Sequence, residues 1–188
     1  MLTTVSADVA NNSDIELIER CVNGDRASFR HLYRRYEHKV RATLYQLCGS
    51  SLLDDLVQEV FLRVWKGLPK LKQRNTFSTW LYRITWNVAT DQRESFAKQH
   101  SLEAKLSIPD RVVESSELMN LHYQDLVQRG LDHLSFEHRA VLVLHDLEDV
   151  PQKEVAEILG VPVGTVKSRL FHARSAIRQF LQKQGVNL

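Results

Sequence analysis

The chain has little that would cross-link, break or stiffen it. Its 188 residues include only two cysteines, four prolines and seven glycines. Cys21 and Cys48 are too few for a disulfide framework, so a reduced, cytoplasmic setting is the expectation. With so little proline and glycine, long uninterrupted helices are open to the chain. No apolar run approaches the roughly 20 residues that would cross a bilayer, so membrane insertion is not expected. The opening MLTTVSADVANNSD has neither the positive flank nor the apolar segment of a signal peptide. Eight histidines are scattered, and neither His-Glu-x-x-His nor Cys-x-x-Cys occurs. No metal, no cofactor, no catalytic residue and no small-molecule substrate are therefore expected, and the chain does not read as an enzyme. What is present is a hydrophobic fraction of 43%, that of a folded chain, and enough length for two small domains.

Net charge is only +2, but it is unevenly spread. Residues 63–100 carry eight basic and two acidic side chains, and residues 101–150 carry four and ten. Residues 158–188 carry five basic side chains and no acid. Two basic zones parted by an acidic stretch suggest two polyanion-binding surfaces on one chain, although unequal charge blocks are common on protein surfaces.

Helical periodicity dominates, and no strand-like alternation appears. Ser13-Asp14-Ile15-Glu16 fits a capping box and starts a first helix. Phe29, Leu32, Tyr33, Tyr36, Val40, Leu44 and Leu47 form a helical stripe that Gly49 ends. Ser50 or Ser51 can cap the next helix, whose stripe is Leu53, Leu56, Val57, Val60 and Val64 and which stops around Gly67-Leu68-Pro69. Another helix begins near Ser78 with Trp80, Leu81, Ile84 and Val88 on one face. Residues 96–120, with Pro109 and many Ser and Glu, read as a linker. Periodicity returns with Leu121, Leu126, Leu131, Leu134, Ala140, Val141, Leu144 and Leu147. The expected organisation is all-α: a flexible tail over 1–12, a helical domain over 13–95, a linker over 96–120, and a second helical domain over 121–184.

The most informative stretch is PQKEVAEILGVPVGTVKSRLFHARSAIRQFL. A short helix with Val155, Ala156 and Leu159 inward meets Gly160-Val161-Pro162, where glycine suits a helix stop and proline a helix start. In the following helix Val163, Val166, Leu170, Ala173 and Ile177 share one face. Thr165, Ser168, Arg169 and His172 share the opposite one, with Lys167 and Phe171 flanking. This is a helix-turn-helix pattern, whose second helix would present polar and basic side chains to the DNA major groove. The simpler alternative, an αα-hairpin with a solvated basic face, accounts less well for turn, inward stripe and acid-free outward face together. By itself the motif also fits a transcriptional repressor or activator.

Two helices of the first domain carry further candidates. In FSTWLYRITWNVATDQRES, Tyr82 and Trp86 lie four residues apart beside Arg83, Asn87, Thr90 and Asp91. Aromatic rings next to basic and amide groups suit stacked, unpaired bases. The plain alternative is that both rings close a helical core. In LLDDLVQEVFLRVWKGL, Asp55, Gln58, Glu59 and Leu62 lie off the apolar stripe beside Phe61 and Trp65. This fits either a protein-docking patch or a solvated helix face.

From about residue 14 to 182 the chain resembles the extracytoplasmic-function sigma factors of the sigma-70 family. Three motifs carry the resemblance. DDLVQEVFLRVWKGL is similar to the family's helix for docking on core RNA polymerase, which implies core contacts for Asp55, Leu56, Gln58, Glu59, Phe61, Leu62 and Trp65. FSTWLYRITWNVATDQRES is similar to the helix that engages and melts the −10 element, which implies that role for Tyr82, Arg83, Trp86, Asn87, Thr90 and Asp91. PQKEVAEILGVPVGTVKSRLFHAR is similar to the helix-turn-helix that reads the −35 element, which implies Thr165, Lys167, Ser168, Arg169, Phe171, His172 and Arg174 there. The resemblance implies a sigma factor that brings RNA polymerase core to promoter DNA and aids melting, with an anti-sigma factor as regulatory partner. His172 departs from the basic residue common at its position. Asp91 stands near a base-reading position, where an acid favours cytosine or adenine. The linker, which opens into the acidic stretch over 101–150, is expected to mimic nucleic acid in the polymerase channel.

Overall fold

A computed structural model describes residues 13–102 and 118–186. Every regular element among them is helical. The chain divides into two compact units, one made mostly of residues up to Thr90 and the other mostly of those after it.

The N-terminal unit holds α1 (Asp14–Val22), α2 (Arg26–Cys48), α3 (Leu53–Gly67) and the first half of α4 (Phe77–Leu102). The expected capping box starts α1: the Glu16 amide donates to Ser13 Oγ at 3.4 Å, and the Ser13 amide donates to Glu16 Oε2 at 3.1 Å. Leu17, Ile18 and Cys21 of α1 are buried. Gly24, at φ +94°, turns the chain, and Asp25 caps α2 by accepting from the amides of Ala27 and Ser28. Its carboxyl is held below the usual range, first by the Ser28 hydroxyl and then by the Ala27 amide. From α2, Leu32, Val40, Leu44 and Leu47 enter the core. An ion pair of Arg35 and a phenol hydrogen bond from Tyr36, both to Asp14, tie α2 to α1.

Neither Ser50 nor Ser51 caps α3. The cap position is Leu52, in the left-handed region at φ 57°, and no side-chain hydrogen bond is made there. Asp54 and Asp55 in the first turn complement the helix dipole instead. Leu56, Val57, Val60, Phe61 and Val64 are buried. At the end of α3, a Cβ on Gly67 would lie 2.7 Å from the Trp80 ring, so glycine here makes room for the indole. A 3-10 turn over Leu68–Lys70 follows. Phe77, Leu81, Tyr82, Thr85, Val88 and Ala89 form the buried arc of α4.

The C-terminal unit holds α5 (Leu118–Asp132), α6 (Phe136–Leu142), a π-helical turn (Val143–Leu147), α7 (Gln152–Leu159) and α8 (Val163–Lys183). Gly130 gives α8 close access, since a Cβ there would lie 3.1 Å from Ile177 and 3.3 Å from Phe180. Leu126, Leu131, Leu134, Ala140, Val141 and Leu144 are buried as the periodicity predicts, but Leu147 is 45% exposed. The wide turn explains that departure: the Glu148 amide bonds the Val143 carbonyl at 3.0 Å, and the extra residue swings position 147 out of the helical stripe. In α7 it is Ile158, not Leu159, that joins Val155 and Ala156 in full burial.

Helix extends into both ends of the expected linker, because α4 runs to Leu102 and α5 starts at Leu118. No glycine or proline stands between Phe77 and Leu102 to stop α4. The tail over 1–12, Pro109 and most of the linker lie outside the described residues.

Candidate polymerase and nucleic-acid interfaces

The α3 candidates divide by burial. Asp55, Gln58, Leu62 and Trp65 are exposed and Glu59 is half-buried, whereas Leu56 and Phe61 are core at 6% and 5% exposure. Aromatic packing sets this division. Phe61 leans on Tyr33 with ring centroids 4.5 Å apart, and Trp65 meets Phe29 edge-on at 4.8 Å. A groove of about 480 Å³ remains between α2 and α3, lined by Phe29, Tyr33, Val57, Gln58, Phe61, Leu62 and Trp65 together with the Arg41–Asp54 ion pair. Phe29, Tyr33, Arg41 and Asp54 were not among the sequence candidates. The four-residue spacing of Phe29 and Tyr33 was the available signal, but it reads equally as core.

On α4, Arg83, Asn87 and Asp91 are exposed and follow one another at four-residue intervals along one stripe. Trp86 and Thr90 are half-buried beside it. The Thr90 hydroxyl donates to the Trp86 carbonyl at 2.9 Å. Tyr82 departs from the expected aromatic ladder: it is 7% exposed, because position 82 falls within the buried arc of the helix. Only Trp86 of the pair reaches the surface.

The helix-turn-helix is assembled as the glycine and proline pattern predicts. Gly160 closes α7 at φ +66°, the Val161 amide bonds the Ala156 carbonyl at 3.0 Å, and Pro162 takes the cap position of α8. Val166, Leu170 and Ala173 are buried. Lys167, Ser168, Phe171, His172 and Arg174 are exposed, with Thr165 and Arg169 half-buried at the edge. Among the described residues Phe171 is the most exposed large hydrophobic one, at 71%. Asp146, on the π-helical turn, grips the Arg174 guanidinium from two sides, 2.9 Å from Nε and 2.6 Å from Nη2. A shallow groove of about 380 Å³ runs beside it, lined by Gln152, Lys167, Leu170, Phe171, Arg174, Ser175 and Arg178. Arg178 was missed in the sequence, although it sits four residues after Arg174 on the same face. Asp146 could not be found there, since its contact depends on the turn that carries it.

Both cysteines are free thiols. Burial, with a smaller contribution from Asp25, pushes the Cys21 thiol up to about 11, so it stays protonated and unreactive near neutral pH. Among the described residues no cluster of three or more His, Cys, Asp or Glu side chains is placed to hold a metal ion. Among the same residues no helix is long and apolar enough to cross a membrane.

Comparison with known proteins bears on both units. The sigma-70 region 2 family model matches residues 32–98, and the sigma-70 region 4 model matches residues 124–177. The ECF RNA polymerase sigma-E factor of Escherichia coli K12 is 32% identical over 186 residues, covering 90% of this chain and 95% of its own length. Its counterpart from Haemophilus influenzae is 28% identical over 181 residues, covering 90% and 96%. Among solved structures, the Bartonella quintana sigma factor RpoE, seen with the anti-sigma factor NepR, superposes with a TM-score of 0.72 at 22% identity over 82% of this chain and 96% of that one. CnrH, seen with the cytosolic domain of CnrY, gives 0.69 at 22% identity over 92% and 99%. These two structures establish the likeness in fold.

Two helical units, each matching a sigma-70 region, define a bacterial sigma factor. The chain belongs to the ECF sigma factors of the sigma-70 family. Its work is therefore regulatory: it directs RNA polymerase to promoters in transcription initiation.

Proposed function

We propose that three surfaces divide this work. The outer edge of α3 (Asp55, Gln58, Glu59, Leu62, Trp65) docks on core polymerase, with Leu56 and Phe61 holding that edge in shape from below. The exposed stripe of α4 (Arg83, Asn87, Asp91), with Trp86 and Thr90 beside it, captures unpaired −10 bases. Tyr82 supports this stripe from the core. Lys167, Ser168, Phe171 and His172 of α8 read the −35 duplex, with Thr165 and Arg169 at the edge of that face and Arg174 held beside it by Asp146. The protein acts by binding and carries out no bond chemistry of its own, in the cytoplasm where polymerase works. An anti-sigma factor would regulate it by covering the α2–α3 groove and so competing with polymerase.

The acid-free exposed row on α8 is the observation that carries the reading. A folding helix gains nothing from a 71% exposed phenylalanine set among Lys167, Ser168 and His172, whereas a base-reading helix does. The test is run-off transcription with purified core polymerase on a library of promoter fragments. Selective transcripts that vanish when Gln58 and Glu59 are both replaced by Ala are expected. Failure to bind core would instead leave a helix-turn-helix regulator that acts without polymerase docking.

A further inference from the structure

The strongest charged feature outside these three surfaces lies on α2. Arg26, Arg30, Arg34 and His38 follow one another at four-residue intervals, and all four are exposed. Four-residue spacing keeps such side chains on neighbouring faces of the helix, so they form a gently winding row about 18 Å long. The row is not neutralised. No acidic partner lies within 4.0 Å of Arg26, Arg30 or Arg34 among the described residues. Four other arginines of the same unit show what neutralisation looks like here. Arg35 pairs with Asp14, Arg41 with Asp54 and Glu37, Arg63 with Glu59, and Arg74 with Glu19. Like charges four residues apart repel, so this row weakens the helix that carries it. It also takes no part in the α2 core, which is built from Leu32, Val40, Leu44 and Leu47.

We propose that the Arg26–Arg30–Arg34 row of α2 is an additional DNA contact, which holds the sugar–phosphate backbone of promoter DNA without reading its bases. The three arginines span about 12 Å along the helix axis, and one strand of duplex carries a phosphate about every 3.4 Å, so the row faces about three of them. Guanidinium groups suit phosphate through paired N–H donors. The exposed setting on the convex side of a helix offers no fixed pocket for base edges, which is why the contact is assigned to affinity and not to sequence choice. This inference rests on the promoter-binding reading above and extends it to a helix that no motif singled out.

The experiment uses the full chain assembled with core polymerase and a promoter fragment that the holoenzyme opens. Complex formation is measured against salt concentration for the wild type, the triple variant Arg26→Gln, Arg30→Gln, Arg34→Gln, and the matching triple Lys variant. Gln preserves helix propensity, and thermal unfolding checks that the fold is kept. The Gln variant should lower the salt slope by about two to three and weaken promoter binding by roughly a hundredfold at 0.1 M salt, while core affinity stays unchanged. The Lys variant should restore most of the slope, because charge and not shape does the work. An unchanged slope with the Gln variant would overturn the proposal, as would a loss of core affinity, which would make the row a polymerase surface. A parallel variant, Arg83→Ala with Asn87→Ala, separates the two levels. If it weakens promoter binding and the α2 variant does not, only the α2 contact falls. If neither variant has any effect, promoter binding through this unit fails and the α2 contact falls with it.

Discussion

Trp65 on α3 and Phe171 on α8 are both large aromatic residues at proposed interfaces, yet the fold treats them differently. Trp65 is 37% exposed and rests edge-on against Phe29 of its own unit. Phe171 is 71% exposed, and its ring neighbour is His172, the next residue along the same exposed face. The first residue serves packing and surface at once, so its presence needs no partner to explain it. The second contributes almost nothing to the core, so its presence points outward. In the proposed division of work, docking on polymerase is grafted onto the edge of a core, while −35 reading falls to side chains of α8 that the fold could do without.

Substitutions can break this contrast, and the largest effect is expected beneath the α3 edge. Phe61→Ala removes a ring that is 5% exposed and packed on Tyr33, and it should cost about 3–5 kcal/mol in urea unfolding. Core binding should fall with it, as a consequence of lost shape. Trp65→Ala should cost less, about 2 kcal/mol, because part of the indole is already in water, and should weaken core binding in its own right. Phe171→Ala should shift stability by no more than about 0.5 kcal/mol and still weaken binding to a −35 duplex by about tenfold. If Phe171→Ala destabilised the protein as much as Trp65→Ala, the division drawn here between packing and reading would be wrong.

The same contrast explains which parts were legible in the sequence. The helix-turn-helix could be read because each of its parts is local: Gly160 stops one helix, Pro162 starts the next, and a stripe of period 3.6 fixes the outward face of α8. The capping box at Ser13 was local in the same sense. Leu56 was already on the apolar stripe, but Tyr82 and Phe61 were harder, because an aromatic residue at the rim of a helical stripe can turn either way until its neighbours are placed. Tyr33 decides the matter for Phe61, from a different helix. Leu147 and Asp146 lay further out of reach, since a π-helical turn carries no simple sequence mark and one added residue rotates everything after it. Ser50 and Ser51 had the right chemistry for a cap, but a left-handed Leu52 took the position.

The smallest expected effect on folding is also the sharpest test of the reading face. His172 is exposed on α8, with its ring 6.2 Å from that of His138 and 5.4 Å from that of Phe171. A neutral imidazole makes a weaker phosphate or guanine contact than a guanidinium does. His172→Arg touches no core residue, so thermal stability should stay within about 0.5 kcal/mol of the wild type. If position 172 faces DNA, the variant should bind a −35 duplex several-fold more tightly, and its salt slope should steepen by about one, the signature of one added phosphate contact. A guanine contact would tighten binding to some sequences and not others, whereas a phosphate contact would tighten binding to all of them equally. Unchanged affinity and slope would mean that position 172 points away from the groove. The reading face would then centre on Lys167, Ser168 and Phe171, with the Asp146–Arg174 pair at its margin.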